Sequence, residues 1–370
     1  MSTGEHDNVI SFEAPRAFTA LTFTETGLLL AGGEDGTLRV YDLSPTAQRA
    51  LCKAIKGLPD EVSSICCQPT KSPPVAAGRV WVASGKQILL FDLTSDKLVI
   101  RSQEAEDVVT LVEDDGDEDN VLNQIGVSKD LIVYSCDSGV VGVYDVQTKK
   151  RRVMKAMHSS ICGTVAFVPI KPKEIVSGGY DSQLLHFDVS TGSVLSRLDI
   201  STPPSTGGTP VSLAPPFLYS ITINSNGAFA AGTADGRLLV GRGGERGRGD
   251  RPNRRKWNGL SADMVSQYHI AGGPIVGVAW VSPSELVSVT LRGQIKHLRL
   301  PESQQKSHAP DYTSIETLWE ARTTKVEKVD CLAVFKPSEH VLHVAMGGHT
   351  STGHGCVEIW KRQCEGNAEA

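Results

Sequence analysis

Short apolar runs alternate with clusters of Gly, Asp and Ser along the whole chain, and one phrase keeps returning. It reads apolar and small residues, Gly, a variable residue, Asp, Gly or Ser, an apolar run, and an aromatic followed by Asp. Clear copies are LLAGGEDGTLRVYD (Leu29–Asp42), VYSCDSGVVGVYD (Val133–Asp145) and IVSGGYDSQLLHFD (Ile175–Asp188), with a weaker VWVASGKQILLFD (Val80–Asp92). Degenerate copies follow at Phe229–Gly241, Leu286–Leu298 and Val344–Trp360. Each copy reads as two short strands joined by a tight turn. Asp35-Gly36 and Asp235-Gly236 are hairpin signals, because Gly takes positive φ without steric cost. Alternation in Leu38-Arg39-Val40-Tyr41 and Val357-Glu358-Ile359-Trp360 fits half-buried strands. Aligned on the aromatic position, the copies fall at Tyr41, Phe91, Tyr144, Phe187, Gly241, Leu298 and Trp360, separated by 50, 53, 43, 54, 57 and 62 residues. A repeated unit of this size, slightly longer than a minimal blade, predicts an all-β, seven-bladed propeller with the surplus in loops.

These phrases resemble WD repeats. The fourth copy carries the resemblance best, with His158 before a strand (Ile161–Val168), then Ser177, then Asp181 in the turn. The resemblance implies a buried hydrogen-bond chain through His158, Ser177 and Asp181, which we read as scaffold rather than catalysis, since buried polar groups must be paired. Phe187 stands where such a chain would end on Trp. The resemblance also implies that the N-terminal segment Val9-Ile10-Ser11-Phe12 forms the outer strand of the last blade, closing the ring and removing a sheet edge.

Length allows two domains, but a propeller of 370 residues is one unit, here residues 1–370. No apolar run approaches the ~20 residues of a membrane helix, and the polar N-terminus, MSTGEHDNV, does not read as a signal peptide. No membrane contact is expected. The eight cysteines form no C-x-x-C pair, and Cys66, Cys136, Cys162 and Cys331 sit inside apolar strand phrases. They read as reduced core residues, which points to a cytoplasmic or nuclear compartment. His349 and His354 lie in one Gly-Thr turn without further ligands, so no metal site is expected.

Three stretches exceed ordinary loop length. Residues 104–119 hold nine acids and no base. They are expected to link the outer strand after blade two to the inner strand of blade three, on the narrow top face, with the apolar stretch Val108–Val112 as a short strand on the propeller. Its acids Glu113, Asp114, Asp115, Asp117, Glu118 and Asp119 are the candidate site for a basic protein or peptide. Residues 201–217, rich in Pro, Ser, Thr and Gly, should be a flexible loop on the same face. Residues 242–256 (RGGERGRGDRPNRRK) set seven bases against two acids and should lie on the opposite face. Arg242, Arg246, Arg248, Arg251, Arg254, Arg255 and Lys256 are the candidate RNA contacts, through phosphate charge and guanidinium stacking. The competing reading is a solvated basic loop. Net charge is only −5, so the molecule as a whole is not built for a polyanion, but opposite charges on opposite faces would steer different partners.

The sequence holds no nucleophile elbow, H-E-x-x-H, paired catalytic carboxylates, phosphate loop or dinucleotide fingerprint. The acidic run lacks the flanking helices and closing Glu of a calcium loop. We therefore expect no catalytic, cofactor-binding or metal residues.

Residues Glu118 to Asp188 are similar to one family more closely. HSSICGTVAFVPIKPKEIVSGGYDSQLLHFDV (His158–Val189) and the preceding DEDNVLNQIGVSKDLIVYSCDSG (Asp117–Gly139) resemble the WD repeat-containing protein 53 family. That resemblance implies an intracellular interaction platform, serving as substrate receptor of a cullin-4 ubiquitin ligase and docking on its propeller adaptor. Such docking often uses an aromatic-Asp-x-Arg ending. Here Asp42, Asp92, Asp145 and Asp188 are followed two residues on by Ser44, Thr94, Gln147 and Ser190, never Arg. The reading that emerges is a monomeric, non-enzymatic WD-repeat scaffold for protein–protein contacts, with ribonucleoprotein association through the basic loop as the alternative.

Overall fold

The structure is a computed structural model, and it describes residues 8–44, 47–69, 78–111, 120–202, 214–245, 257–301 and 315–364. Within these, seven sheets, antiparallel but for one pair of strands, are arranged as a β-propeller. After β1 (Asn8–Ala14), the first blade comprises β2 (Phe18–Phe23), β3 (Leu29–Gly33), β4 (Leu38–Tyr41) and β5 (Leu51–Lys56). Next come β6 (Val62–Cys67), β7 (Arg79–Ser84), β8 (Gln87–Asp92), β9 (Val99–Arg101) and β10 (Asp107–Thr110). Blade three is β11 (Leu122–Ser128), β12 (Leu131–Cys136), β13 (Val141–Asp145) and β14 (Lys150–Val153). Blade four is β15 (Cys162–Val168), β16 (Lys171–Gly179), β17 (Gln183–Asp188) and β18 (Ser193–Asp199). Blade five is β19 (Leu218–Ile223), β20 (Phe229–Thr233), β21 (Arg237–Gly241) and β22 (Val265–His269). Blade six is β23 (Ile275–Trp280), β24 (Glu285–Thr290), β25 (Gln294–Arg299) and β26 (Glu316–Arg322). The last blade is β27 (Lys328–Ser338), β28 (Val341–His349) and β29 (Gly355–Gln363), completed by β1. All seven aromatic-position anchors of the repeat fall on the third strand of a blade. The degenerate fifth and sixth copies build ordinary four-stranded sheets.

Closure follows the expected route. β1 pairs antiparallel with β29 from Asn8↔Lys361 to Ala14↔Gly355, and Phe12 stacks on Tyr41 with ring centroids 4.3 Å apart. The innermost strand of each blade packs against its neighbours, and β27 against β2 completes the ring. Buried apolar clusters fill the interfaces between blades. Leu30, Val40, Ile65, Val82 and Phe91 join blades one and two, and Phe18, Leu29, Ala345 and Ile359 join blade seven to blade one.

Blade two departs from the sequence reading. Its outer strand is not the segment before Glu104 but β10, which pairs with β8. The stretch β9, which the order along the chain suggests as that strand, crosses instead to blade one and pairs parallel with β5. The apolar stretch expected at Val108–Val112 is realised as β10, Asp107–Thr110. Only Ile100 of β9 is buried, so the strand is held mainly by backbone pairing and by Ala54 N–H on the Leu98 carbonyl (2.9 Å).

Each of the seven inner strands carries a register shift at the same place, skipping Thr19, Ser63, Asn123, Gly163, Tyr219, Val276 or Asp330. A bulge re-aims the skipped residue. All seven are partly exposed, next to a buried residue on the preceding side, and so ring the axial opening. Beyond the bulge, side chains satisfy backbone N–H groups of the next inner strand, which no sheet partner would meet. Ser64 Oγ accepts from Ile125 N–H (3.2 Å), Gln124 Oε1 from Val165 (3.0 Å), Thr164 Oγ1 from Ile221 (3.2 Å) and Ser220 Oγ from Val278 (3.2 Å).

Candidate interaction face

Antiparallel order fixes two faces. Inner strands begin at one end, here called the entry face, where the second-to-third-strand turns also lie. The other two connections of each blade lie on the opposite face.

The candidate acids Glu113, Asp114, Asp115, Asp117, Glu118 and Asp119 lie outside the described residues. Their flanks are on the entry face between blades two and three. There the Leu111 N–H bonds to the Lys86 carbonyl (3.0 Å), and Asn120 Oδ1 accepts from Ser138 N–H (3.1 Å). The earlier acids of the run are already matched by bases from elsewhere. Glu104 meets Lys97, Glu106 meets Arg79 (3.0 Å) and Asp107 meets Lys149. The absence of bases within the run therefore overstated its free charge.

Of the basic candidates, Arg246, Arg248, Arg251, Arg254, Arg255 and Lys256 lie outside the described residues, as do residues 203–213. Arg242 begins the connection between β21 and β22, on the opposite face, with its N–H on the Met264 carbonyl (3.1 Å). Trp257 pins the two ends of that connection together. It is buried, donates to the Gly227 carbonyl (2.8 Å), and lies so close to Gly244 that a Cβ there would meet its ring nitrogen at 1.8 Å.

His158, Ser177 and Asp181 come together within blade four. His158 Nδ1 meets Asp181 Oδ1 at 2.9 Å and Nε2 meets Ser177 Oγ at 2.8 Å. Asp181 also accepts from Ser159 N–H (3.0 Å). Burial pushes the His158 pKa down, against the pull of Asp181. A fully enclosed ring cannot reach a substrate, so the chain joins the blade's first strand to its turn.

The Asp that ends each of the first four repeats caps the turn that follows the third strand. Asp42 accepts from Ser44 N–H (2.9 Å), Asp92 from Thr94 (2.8 Å), Asp145 from Gln147 (3.0 Å) and Asp188 from Thr191 (2.8 Å). These carboxylates hold backbone donors, as Asx turns do.

A second buried chain escaped sequence reading. His186, fully buried on β17, meets Glu174 (2.9 Å) and Ser196 (3.0 Å), with the Trp257 ring against it edge-on at 4.8 Å. Its three residue types match a hydrolytic triad, but the imidazole is sealed beneath Trp257, and it ties blade four to blade five.

The face's most distinctive feature is the axial mouth. Glu34, Glu61, Asp137 and Asp330 approach from blades one, two, three and seven. Burial raises the Glu61 pKa, and the charges of Asp60, Glu34, Asp137 and Asp330 raise it further. Burial likewise raises Asp330, opposed by Lys328 at 3.1 Å. Asp137 accepts from Asn123 Nδ2 (2.8 Å), which also reaches the Cys162 carbonyl (3.1 Å). Across the mouth, Tyr180 stacks on Phe217 (5.1 Å) and meets Tyr219 edge-on (5.4 Å). Burial pushes the Tyr180 hydroxyl up to about 12. Acids on one side and aromatic faces on the other are suited to an organic cation.

The eight cysteines are free thiols, and burial pushes Cys66 and Cys162 up to about 12, so neither is a ready nucleophile. Among the described residues no group of three or more His, Cys, Asp or Glu is placed to hold a metal ion, and no helix is long and apolar enough to cross a membrane.

A family model described as the LRRK2 beta propeller matches residues 7–161. That span covers blades one to three with the closing strand β1. Over it the chain is similar to a known propeller family, and throughout the described residues it is a seven-bladed β-propeller.

Proposed function

We propose that this protein is a non-catalytic interaction scaffold of the WD-repeat type, whose entry face captures a basic segment of a protein partner at the axial mouth. The carrying observation is the crowding of Glu34, Glu61, Asp137 and Asp330 at one opening, with Glu61 and Asp330 held above the ordinary carboxylate range. Like charges gathered this way are costly to the free protein and are relieved by a cation. The side chains of Glu34 and Glu61 have no cation partner among the described residues. The acidic segment rooted between Leu111 and Asn120 adds long-range attraction on the same face.

The test is calorimetric titration with an Arg/Lys-rich peptide and an acidic control peptide. Glu61→Gln combined with Asp137→Asn and Asp330→Asn should weaken the basic peptide at least tenfold, on the order of 1.4 kcal/mol, while leaving the melting temperature unchanged or higher. Undiminished binding at low salt in this variant overturns the reading. Serine at Asp114, Asp115, Asp117, Glu118 and Asp119 should slow association more than it speeds dissociation.

A receptor role in a cullin-4 ligase, which the resemblance to the WD repeat-containing protein 53 family implies, would place the recruited substrate at this mouth. The ligase adaptor would then have to dock elsewhere than on the turn-capping Asp42, Asp92, Asp145 and Asp188. Direct binding of purified adaptor to purified protein tests that step.

A further inference from the structure

The entry face carries a second, oppositely charged feature on blades six and seven. Two adjoining depressions of ≈420 Å³ and ≈490 Å³ share Arg292 and Arg322 along their common wall. Arg292 stands in the turn between β24 and β25. Arg322 ends β26, one strand away, opposite Gln294. Both are exposed, and neither has a carboxylate within ion-pair distance among the described residues. Other arginines of the described fold do have such a partner, as Arg39 has in Asp35 (2.6 Å), Arg237 in Asp235 (2.6 Å) and Arg299 in Glu285 (3.0 Å).

The second depression adds Lys325 and Ser351, and its floor is fixed. Glu358, fully buried, accepts backbone N–H from Thr324 (2.9 Å), Lys325 and Val326 (2.8 Å). The segment bearing Lys325 is thereby locked before any ligand arrives, which lowers the ordering cost of binding. Among the described residues, Lys325 makes only a long ion-pair contact, to Glu13 (3.5 Å). On the other side, a Cβ placed on Gly272 or Gly273 would meet nothing within 4 Å, so an extended main chain can pass there.

We infer that this cleft binds a phosphorylated serine or threonine in an extended segment of a protein partner, with Arg292 and Arg322 forked on the phosphate and Lys325 beside it. Guanidinium groups match tetrahedral oxyanions in paired hydrogen bonds, and such charge-assisted bonds are the strong ones. A nucleotide fits less well, because no aromatic side chain among the described residues lines either depression for a base to stack on. A long polyanion is disfavoured by Glu320 and Glu327 on the rim and by the acidic mouth nearby.

The experiment presents immobilised full-length protein with a position-degenerate phosphoserine/phosphothreonine peptide library and its unphosphorylated twin. The expected result is retention of the phosphorylated library by roughly tenfold or more, loss of that preference in Arg292→Ala/Arg322→Ala, and persistence of it in the Glu61→Gln/Asp137→Asn/Asp330→Asn variant. Both arginines are exposed, so the double variant should melt as the parent does. Equal retention of the two libraries overturns the proposal. So does a phosphate preference that survives the double substitution, or one that single-stranded RNA displaces as readily as phosphopeptide does.

Discussion

His158 stays neutral because its ring is sealed between Asp181 and Ser177, and burial lowers its pKa from 6.5. Burial lowers His297 and His343 in the same direction. In the unfolded chain these rings take up protons near pH 6.5; in the native state they do so only at lower pH. Their contribution is therefore complete above about pH 6.5 and declines as pH falls through that value towards the native pKa. Denaturant titrations between pH 7 and 5 should show stability falling with pH, and His158→Gln should flatten that slope while costing about 1–3 kcal/mol in lost buried bonds. Glu358 is a second test. Its replacement by Ala strands the N–H groups of Thr324, Lys325 and Val326, and should cost on the order of 3 kcal/mol in equilibrium unfolding. What could be read from sequence at this scale was what one repeat contains. His158, Ser177 and Asp181 lie within a single repeat, and the resemblance of that repeat to WD repeats implies their contact. The mouth acids come from four blades and more than half the chain, so only the closed ring brings them together. The Asp of the aromatic-Asp phrase was visible as a motif, but its task, holding the next turn, depends on backbone geometry that composition does not carry.

At the level of strands, the third-strand anchors and the closing pair β1–β29 follow from alternation and from the ring's need to hide an edge. Removing residues 1–14 would bare the backbone of β29 and uncover Val357, Ile359 and the stacked face of Tyr41. The truncated protein should lose its single cooperative melt and elute as soluble aggregate on size exclusion, whereas removal of residues 365–370 should not have this effect. β9 and β10 show the limit of pattern reading. Leu98-Val99-Ile100 has the better apolar signature and the earlier place in the chain, yet it goes to a neighbouring sheet. β10, among acids, takes the position on β8, with Arg79 and Lys149 paired to Glu106 and Asp107 beside it. Neither base is near those acids in sequence.

Taken as a whole molecule, the entry face offers an acidic axis and a cationic cleft, and the basic segment opens from the opposite face. Binding of a basic peptide at the mouth should weaken as salt rises, since the attraction is partly long-range. It should also weaken as pH falls, because burial raises the pKa of Glu61 and of Asp330 and both lose their charge sooner than they would in the unfolded chain. Replacing residues 246–256 by a short Gly-Ser bridge should leave the melting temperature unchanged, because Gly244 and Trp257 already close the stem. If that basic segment is an RNA contact, the same replacement removes filter-bound RNA. The exchange of β9 has a consequence of another kind. Ordinary propeller blades are separable modules, and chains of them can be re-cut, duplicated or circularly permuted at the joins between blades. Here the chain leaves blade two, stitches itself to blade one and returns, so the boundary between those two modules is sewn shut. A permutant opened between β5 and β6 would separate β9 from its partner strand only in connectivity, but a blade-two duplication would carry a strand with no blade one to receive it.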